Sequence, residues 1–324
     1  MADLMWRTAK HEGVGNVVLE QVPIPEPGPG EVATRTQVSL ISRGSEMGGR
    51  YLREGVVDPQ RMGYSTTGIV HRVGDGVSEY APGDRVVVTA PHAEYSLQKI
   101  DDPSRPWVFH LHPDMSFEHG TFHPLCTSSA GWTRAAGIGS QDRVVVLGQG
   151  IVGNLVMQFA RRYQPAQLIA VDALDLRLRI SQEVGAPEVV NASEEDPVAA
   201  VQRLTGGGAT IVMDCVGGRA GRRSFVQAQD MVAGGGLIQL IGLYHEQPLD
   251  LDASKMMGKR LIGSYPPSTD RGEIGQEAMA ALVAGEVRVE PLITHRFEGQ
   301  QAKEAFDLLY EHMDQALGVL FNWQ

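Results

Sequence analysis

Cysteine, aromatic residues and long apolar runs are scarce in this 324-residue chain. Its two cysteines, Cys126 and Cys215, are too few for a disulfide framework or a four-thiolate zinc site. Aromatic residues make up 6% of the sequence, which argues against a large, flat, apolar substrate. No apolar run approaches the roughly 20 residues that span a bilayer, and no basic-then-apolar leader opens the sequence. We therefore expect a cytoplasmic protein with no membrane partner.

Basic residues are also in the minority, with 28 lysines and arginines against 39 aspartates and glutamates, a net charge of −11. Binding to nucleic acid needs clustered positive charge, so we expect no nucleic-acid partner. A neutral or cationic small molecule is easier to accommodate. The length exceeds what one hydrophobic core usually serves, which predicts two domains.

The hydrophobic pattern changes along the chain. Up to about residue 90, short alternating strands broken by proline and glycine predict an antiparallel, β-rich module. From about residue 127 to 263, strands alternate with helices, which predicts an α/β fold with a doubly wound parallel sheet. The tail is expected to return to the first module. The predicted strands and helices of the second and third segments lie at residues 143–147, 154–164, 168–171, 211–213, 237–241, 275–284, 291–297, 300–311 and 318–321.

A GxGxxG motif follows the first strand of the α/β segment and opens a helix. Gly148 is expected to allow the tight turn, and Gly150 is expected to let a pyrophosphate approach the backbone closely. Gly153 is expected to let the helix pack closely on the strand. The helix N-terminus supplies unpaired N–H groups and a positive dipole end, and Ile151 and Val152 just before the predicted helix are expected cofactor contacts. The alternative is that these glycines only shape a turn.

Asp172 ends the next predicted strand, about twenty residues after the motif. A carboxylate there accepts hydrogen bonds from an adenosine ribose diol and repels a 2′-phosphate, which predicts NAD(H) rather than NADP(H). Arg177 and Arg179 follow closely and would soften that preference. Asp172 is alternatively, or in addition, the N-cap of a helix that begins near Asp175.

With these residues in place, the chain resembles the medium-chain dehydrogenase/reductase superfamily over nearly its whole length. The resemblance implies a Rossmann doubly wound parallel sheet plus a β-rich, GroES-like catalytic domain. It divides the chain into a catalytic domain (1–125), an NAD-binding domain (126–262) and a return segment (263–324). The blocks that carry it are residues 22–32, 63–70, 73–77, 82–86, 93–95, 148–153, 214–218 and 291–297.

The zinc ligands of this superfamily are largely replaced at the matching positions. A ligand cysteine matches Ser42, a Gly-His-Glu sequence becomes Gly63-Tyr64-Ser65, and the third position matches Cys126 or His123. The relay histidine of the family matches Met47. Hydroxyl groups are poor zinc ligands, so the resemblance is to metal-deficient members and we expect no catalytic metal. An unconventional site at His119, His123 and Cys126 is the alternative.

Without a metal, a side chain must remove the hydroxyl proton during hydride transfer. Tyr64 is the leading candidate for contacting the substrate oxygen beside Ser42, with His123 as the base and Glu46 as a third candidate. An ordinary histidine titrates near ~6.5 and a tyrosine near ~10, which favours His123. Each also has a structural interpretation: Tyr64 fills space, His123 binds backbone, and Glu46 pairs with Arg43 or Arg50.

The resemblance also implies further cofactor contacts. Arg43 stands where relatives place a pyrophosphate-binding arginine, although an ion pair with Glu46 is the alternative. Two strand ends are expected to line the adenine-ribose crevice and the nicotinamide, and a third segment to bind the carboxamide. These three sets are Cys215, Val216 and Gly217; Ile241, Gly242 and Leu243; and Ser264 and Tyr265.

Together these features predict an NAD-dependent, zinc-independent oxidoreductase that interconverts a secondary alcohol and a ketone. A sugar, cyclitol or amino sugar is the expected substrate, and a homodimer is the expected assembly. The alternatives are a zinc-free enoyl or quinone reductase and a catalytically silent nucleotide-binding protein.

Overall fold

The computed structural model describes residues 3–100, 108–245, 248–263 and 271–324. The first part of the chain contains strands β1 (Leu4–Lys10), β2 (Val17–Pro23), β3 (Glu31–Leu40), β4 (Thr66–Val73), β5 (Arg85–Val88), β6 (Tyr95–Lys99) and β7 (Val108–His110). Its helices are α1 (Arg43–Glu46), which continues into a π-helical turn (Met47–Tyr51), and α2 (Phe117–Gly120).

The middle of the chain alternates strands and helices. They are α3 (His123–Ala136), β8 (Arg143–Leu147), α4 (Ile151–Arg161), β9 (Gln167–Asp172), α5 (Asp175–Glu183), β10 (Glu188–Asn191), α6 (Pro197–Thr205), β11 (Ala209–Asp214), α7 (Gly218–Met231), β12 (Val232–Leu240), α8 (Ala253–Met256), β13 (Arg260–Gly263) and α9 (Arg271–Val283). The last part contains β14 (Ile293–Glu298), α10 (Ala302–Glu311) and β15 (Gly318–Asn322).

The middle strands form a six-stranded parallel sheet in the order β10-β9-β8-β11-β12-β13. The β-branched run of β8 is buried on both faces, as parallel strands covered by helices require. This confirms the predicted doubly wound fold. The sequence analysis did not predict β10 or β13, and it began α4 at residue 154, three residues later than the observed start at Ile151.

The first and last parts form a second, mixed sheet. Its order is β14-β15-β3-β4-β5-β7, with β6 also paired to β3, and β1 and β2 form a separate antiparallel pair. The tail joins the sheet because β15 pairs antiparallel with β3. Phe306 of α10 and Phe321 of β15 are fully buried in the core next to α1.

Packing divides the chain into residues 1–124 with 293–324, called here the catalytic unit, and residues 125–292, the nucleotide unit. The sequence-based division placed α9 in the return segment, whereas the structure groups it with the nucleotide unit. Glu277 of α9 forms ion pairs there with Arg134 and Arg162, at 2.7 and 2.8 Å. Across the described ranges, no helix is both long and apolar enough to cross a membrane.

Candidate functional site

Two glycines of the GxGxxG motif are required by the packing of the protein itself. Gly148 has a φ of +81°, which favours glycine, and its N–H donates to the Val171 carbonyl at 2.7 Å. A Cβ on Gly153 would lie 1.7 Å from the Gly148 carbonyl oxygen. Gly153 therefore lets α4 pack directly against the turn that follows β8.

Gly150 differs from both, because nothing lies within 4 Å of the Cβ position that it lacks. It is the N-cap of α4 and provides no capping side chain. The first N–H groups of a helix, here those of Ile151 and Val152, have no acceptor within the helix. A Cβ at position 150 would project into this open space, where an anionic group fits the N–H groups and the helix dipole.

Asp172 lies at the end of β9, and N–H groups already hold its carboxylate. Oδ1 accepts from the N–H groups of Ala173 and Leu174 at 2.8 and 2.9 Å, and Oδ2 accepts from that of Gln149 at 2.6 Å. Arg177 Nη1 lies 3.4 Å from Oδ2. A carboxylate has about four acceptor positions, so a ribose hydroxyl would compete with the long Arg177 contact.

The structure does not bear out the expected N-cap role of Asp172, because the N-cap of α5 is Leu174. The carboxylate instead binds the two N–H groups just before the helix. Its hydrogen bond with Gln149 ties β9 to the glycine turn.

The strand ends expected to line the cofactor lie side by side. The Asp214 carbonyl accepts from the N–H groups of Ile241 and Gly242 at 2.9 and 2.8 Å. A Cβ on Gly242 would lie 2.3 Å from the Val216 carbonyl oxygen. The segments 215–217 and 241–243 therefore run in close contact at the carboxyl ends of β11 and β12, where open α/β sheets bind ligands.

Asp214 is a residue whose role the sequence analysis missed. Its carboxyl group accepts from Ser224 Oγ at 2.7 Å, from the Val216 N–H at 3.1 Å and from Tyr244 Oη at 3.0 Å. Burial raises the pKa of Asp214 to about 6 despite these three donors. The available signal was a carboxylate at a predicted strand end, three residues before the first of two glycines.

Cys215 is no nucleophile in this setting, because burial and the neighbouring Asp214 raise the pKa of its thiol. This agrees with its interpretation as a small packing residue. Ser264 and Tyr265, the expected carboxamide-binding residues, lie outside the described residues.

In the catalytic unit, the structure brings Ser42 and Tyr64 together. Tyr64 Oη donates to Ser42 Oγ and lies 3.5 Å from Ser45 Oγ. Burial raises the pKa of Tyr64, and the hydrogen bonds with the two serines offset only part of this effect. The phenol therefore keeps its proton at neutral pH and serves as a hydrogen-bond donor.

Glu46 has no exposed surface. Its Oε1 accepts from the Ser42 N–H at 2.9 Å, and its Oε2 lies 3.0 Å from His92 Nε2 and 3.4 Å from Arg50 Nη1. Burial by itself would raise the pKa of Glu46, but His92 and Arg50 hold it below its ordinary value. The structure thus favours the ion pair with Arg50 over direct contact of Glu46 with a substrate.

His92 was missed by the sequence analysis, which used its neighbours 93–95 only as a family match. It is fully buried, and its Nδ1 lies 2.8 Å from Ser39 Oγ. A histidine in a run of otherwise apolar and small residues was the available signal.

His123 begins α3 and is 1% exposed. Its ring packs edge-on against Phe109, with the centroids 4.8 Å apart. Direct access to a substrate therefore requires a local movement, and its role as base stays a prediction.

Arg43 extends towards α10 and not towards Glu46. Its Nε donates to the Leu309 carbonyl at 3.0 Å, and its Nη2 lies 3.3 Å from Met313 Sδ. A guanidinium at the last carbonyls of a helix complements the helix dipole. Its expected contact with a pyrophosphate stays a prediction.

The donors at the zinc-ligand positions do not fit zinc. Ser42 and Tyr64 are hydroxyls bonded to each other, and burial raises the pKa of the Cys126 thiol, which disfavours the thiolate that a metal needs. Throughout the part of the chain that the structure describes, no three His, Cys, Asp or Glu side chains are grouped to hold a metal ion.

Residues 152–283 match the family model described as zinc-binding dehydrogenase. Sorbitol dehydrogenase of Macaca fascicularis is 27% identical over 333 residues, covering 91% of this chain and 90% of the relative. Among solved structures, an alcohol dehydrogenase from Escherichia coli CFT073 complexed with NADH superposes with a TM-score of 0.82 at 20% identity, covering 98% and 99% of the two chains. A structure described as a zinc-binding dehydrogenase from Sinorhizobium meliloti 1021, bound to NADP, gives 0.83 at 21% identity, covering 99% of each.

Residues 152–283 of this chain are therefore similar to zinc-binding dehydrogenases, and 91% of the chain is similar to sorbitol dehydrogenase. The chain's α/β fold with a separate mixed sheet matches the solved alcohol dehydrogenases. Because these relatives are dehydrogenases, the similarity supports an oxidoreductase.

Proposed function

We propose that this protein interconverts a secondary alcohol and a ketone on a sugar, cyclitol or amino sugar, with NAD(H) as the hydride carrier and without catalytic zinc. The observation that carries the proposal is Gly150. The protein's own packing explains Gly148 and Gly153, whereas the space beside Gly150 is open and, at the N-terminus of α4, fits a bound pyrophosphate. A polyol is favoured by the similarity to sorbitol dehydrogenase.

NAD(H) is proposed over NADP(H) because Asp172 stands where the adenosine ribose of a Rossmann cofactor binds. A 2′-phosphate would approach a carboxylate held in place by three N–H groups. Arg177 neutralises part of that charge, so we expect a preference and not an absolute exclusion. The two solved neighbours bind NADP and NADH, respectively, so the fold itself does not decide between them.

Zinc independence is proposed from the Ser42–Tyr64 hydroxyl pair. Nicotinamide, when bound, supplies the hydride acceptor. The raised pKa of Tyr64 disfavours it as the base. Since the one proton of Tyr64 goes to Ser42 Oγ, the Ser42 hydroxyl is the donor that would hold the substrate oxygen. A separate base is then required, and His123 remains the candidate because an ordinary imidazole is partly neutral at working pH.

We also propose a homodimer. In the parallel sheet, β12 is covered by β13. Among the strands that the structure describes, β13 is at the edge, with Leu261 on it and the exposed Met257 just before it. The backbone groups along this edge can pair with a second copy. Light scattering of the purified protein gives the mass directly, and a monomer at working concentration would contradict the proposal.

The test of function is a cofactor-coupled screen of the purified protein, with metal analysis of the same sample. We expect reduction of NAD⁺ with some polyols, cyclitols or amino sugars, slower reduction of NADP⁺, and less than one zinc per chain. Reduction of an enone but of no ketone would identify an enoyl or quinone reductase instead. Cofactor binding without turnover would identify a silent nucleotide-binding protein, and a stoichiometric transition metal would refute zinc independence.

A further inference from the structure

A buried polar cluster lies directly behind the Ser42–Tyr64 pair, formed by Ser39, Glu46, Arg50 and His92. Given the proposed function, we propose that Glu46 and His92 are positioning residues, which fix the turn that carries Ser42 and through it the hydroxyl of Tyr64. Neither residue has exposed surface, so neither reaches a substrate itself.

The contacts run in one continuous chain across the catalytic unit. Tyr64 Oη donates to Ser42 Oγ, and the Ser42 N–H donates to Glu46 Oε1 at 2.9 Å. Glu46 Oε2 lies 3.0 Å from His92 Nε2, and His92 Nδ1 lies 2.8 Å from Ser39 Oγ. These hydrogen bonds connect Tyr64 and Ser42 at the proposed site with Glu46, His92 and Ser39 in the core.

Two donors in this chain of contacts are fixed by their partners. Trp323 Nε1 is only a donor, and it lies 2.9 Å from Ser39 Oγ. Ser39 Oγ accepts that hydrogen bond and can either donate to His92 Nδ1 or accept from it. An ionised carboxylate only accepts, so the proton between His92 Nε2 and Glu46 lies on His92. Arg50 lies 3.4 Å from the same carboxylate.

The cluster has little freedom to move. The His92 ring packs edge-on against Phe306 and Phe321, with centroids 6.2 and 5.1 Å away. Glu46 binds the N–H of the residue four positions before it, so its side chain fixes the start of α1. A displacement of about 1 Å in a group that orients a substrate can cost about 100-fold in rate.

The first test compares Glu46→Ala with Glu46→Gln. The amide oxygen of glutamine can still accept from the Ser42 N–H, and its NH₂ group can donate to the other tautomer of His92. We therefore expect Glu46→Ala to lower kcat about 10- to 100-fold with an unchanged KM for NAD⁺, and Glu46→Gln to stay within about 5-fold of wild type. Equal losses in both variants would overturn the proposal.

The matched control is Tyr80→Phe, which removes a hydrogen bond to the Val108 carbonyl at 2.5 Å elsewhere in the same unit. It should leave kcat unchanged. Ser39→Ala tests the far end of the chain of contacts without leaving a buried charge, and it serves if Glu46→Ala does not fold. We expect Ser39→Ala to lower kcat, but less than Glu46→Ala does. A kcat equal to that of wild type would contradict the role of His92.

A double-mutant cycle with Tyr64→Phe separates positioning from a general structural role. If Glu46 acts through Tyr64, its removal should cost clearly less in the Tyr64→Phe background. Additive losses would overturn the proposal. If the wild-type protein turns over no alcohol, the proposed function fails. The same double-mutant cycle, measured by urea unfolding, then still tests the coupling of Glu46 to Tyr64. Additive losses of stability there would refute the positioning role independently.

Discussion

Two neighbouring glycines of the nucleotide turn should respond in opposite ways to the same substitution. Replacing Gly150 by alanine adds a methyl group that meets no protein atom within 4 Å, at a residue whose φ of −64° suits alanine. At such positions a glycine-to-alanine change stabilises a protein by about 0.4–1 kcal/mol, because the unfolded chain loses freedom. We expect Gly150→Ala to be at least as stable as wild type and to bind NADH at least about 10-fold more weakly, since the methyl group occupies the space proposed for the pyrophosphate.

Gly153→Ala is the matched control, because it adds the same methyl group three residues away. The new Cβ would lie 1.7 Å from the Gly148 carbonyl oxygen, so α4 must move away from β8. Overpacking usually costs about 1–3 kcal/mol, and a clash with backbone between buried elements belongs at the upper end or beyond. For a chain of this size, about 3 kcal/mol lowers the melting temperature by roughly 4 °C.

The assay needs two measurements on each purified variant: thermal or urea unfolding without cofactor, and an NADH fluorescence titration. Wild-type NADH affinity in Gly150→Ala would show that no cofactor group approaches this glycine and would remove the main support for the proposed function. Wild-type stability in Gly153→Ala would instead show that the contact of α4 with the turn is looser than the structure has it.

Three further predictions concern single side chains. The folded-state pKa of Asp214, raised to about 6 from 3.8, means that the folded protein binds this proton more tightly than the unfolded chain. Stability should fall by about 3 kcal/mol as the pH rises from about 4 to about 6, and urea unfolding of Asp214→Asn should lack this component; parallel pH profiles would contradict it. In steady-state assays, Asp172→Ala should raise the KM for NAD⁺ about 10-fold or more and raise the KM for NADP⁺ less. Equal changes in the two KM values would show that Asp172 does not determine the choice of cofactor. His123→Ala should slow hydride transfer at least 100-fold without weakening NADH binding, and unchanged turnover would remove His123 from the mechanism.

The nucleotide turn was predictable because its signals are local. The run from Arg143 to Leu147 is β-branched and apolar, and the glycines follow it within six residues, so strand, turn and helix can be read in one window. The start of α4 was placed too late because glycines and β-branched residues lower helix propensity at its first turn. In the folded chain, close packing of Gly153 on the turn outweighs that local preference.

The residues that hold the Ser42–Tyr64 pair in position were not predictable in the same way, because they lie far apart in the sequence. Glu46 meets His92 across 46 residues, and Trp323 meets Ser39 across 284. The contact of Trp323 with Ser39 depends on the register of β3 with β15, which no local pattern reports. Sequence alone presented Glu46 as a polar residue near a matched ligand position, and only its burial shows that it faces the core.

Charge balance explains why the Ser42–Tyr64 pair needs the buried polar cluster to hold it in position. The two hydroxyls of the Ser42–Tyr64 pair are neutral, so at the proposed site an oxyanion on a substrate would depend on a well-placed hydrogen bond from this pair. Its raised pKa makes Tyr64 a weaker acid and leaves position as the property that a protein can improve. The neighbouring charges are arranged accordingly: Arg50 offsets the charge of Glu46, and His92 Nε2 holds the same carboxylate at 3.0 Å. We therefore expect substitutions in this cluster to act on kcat through geometry and to leave cofactor binding unchanged.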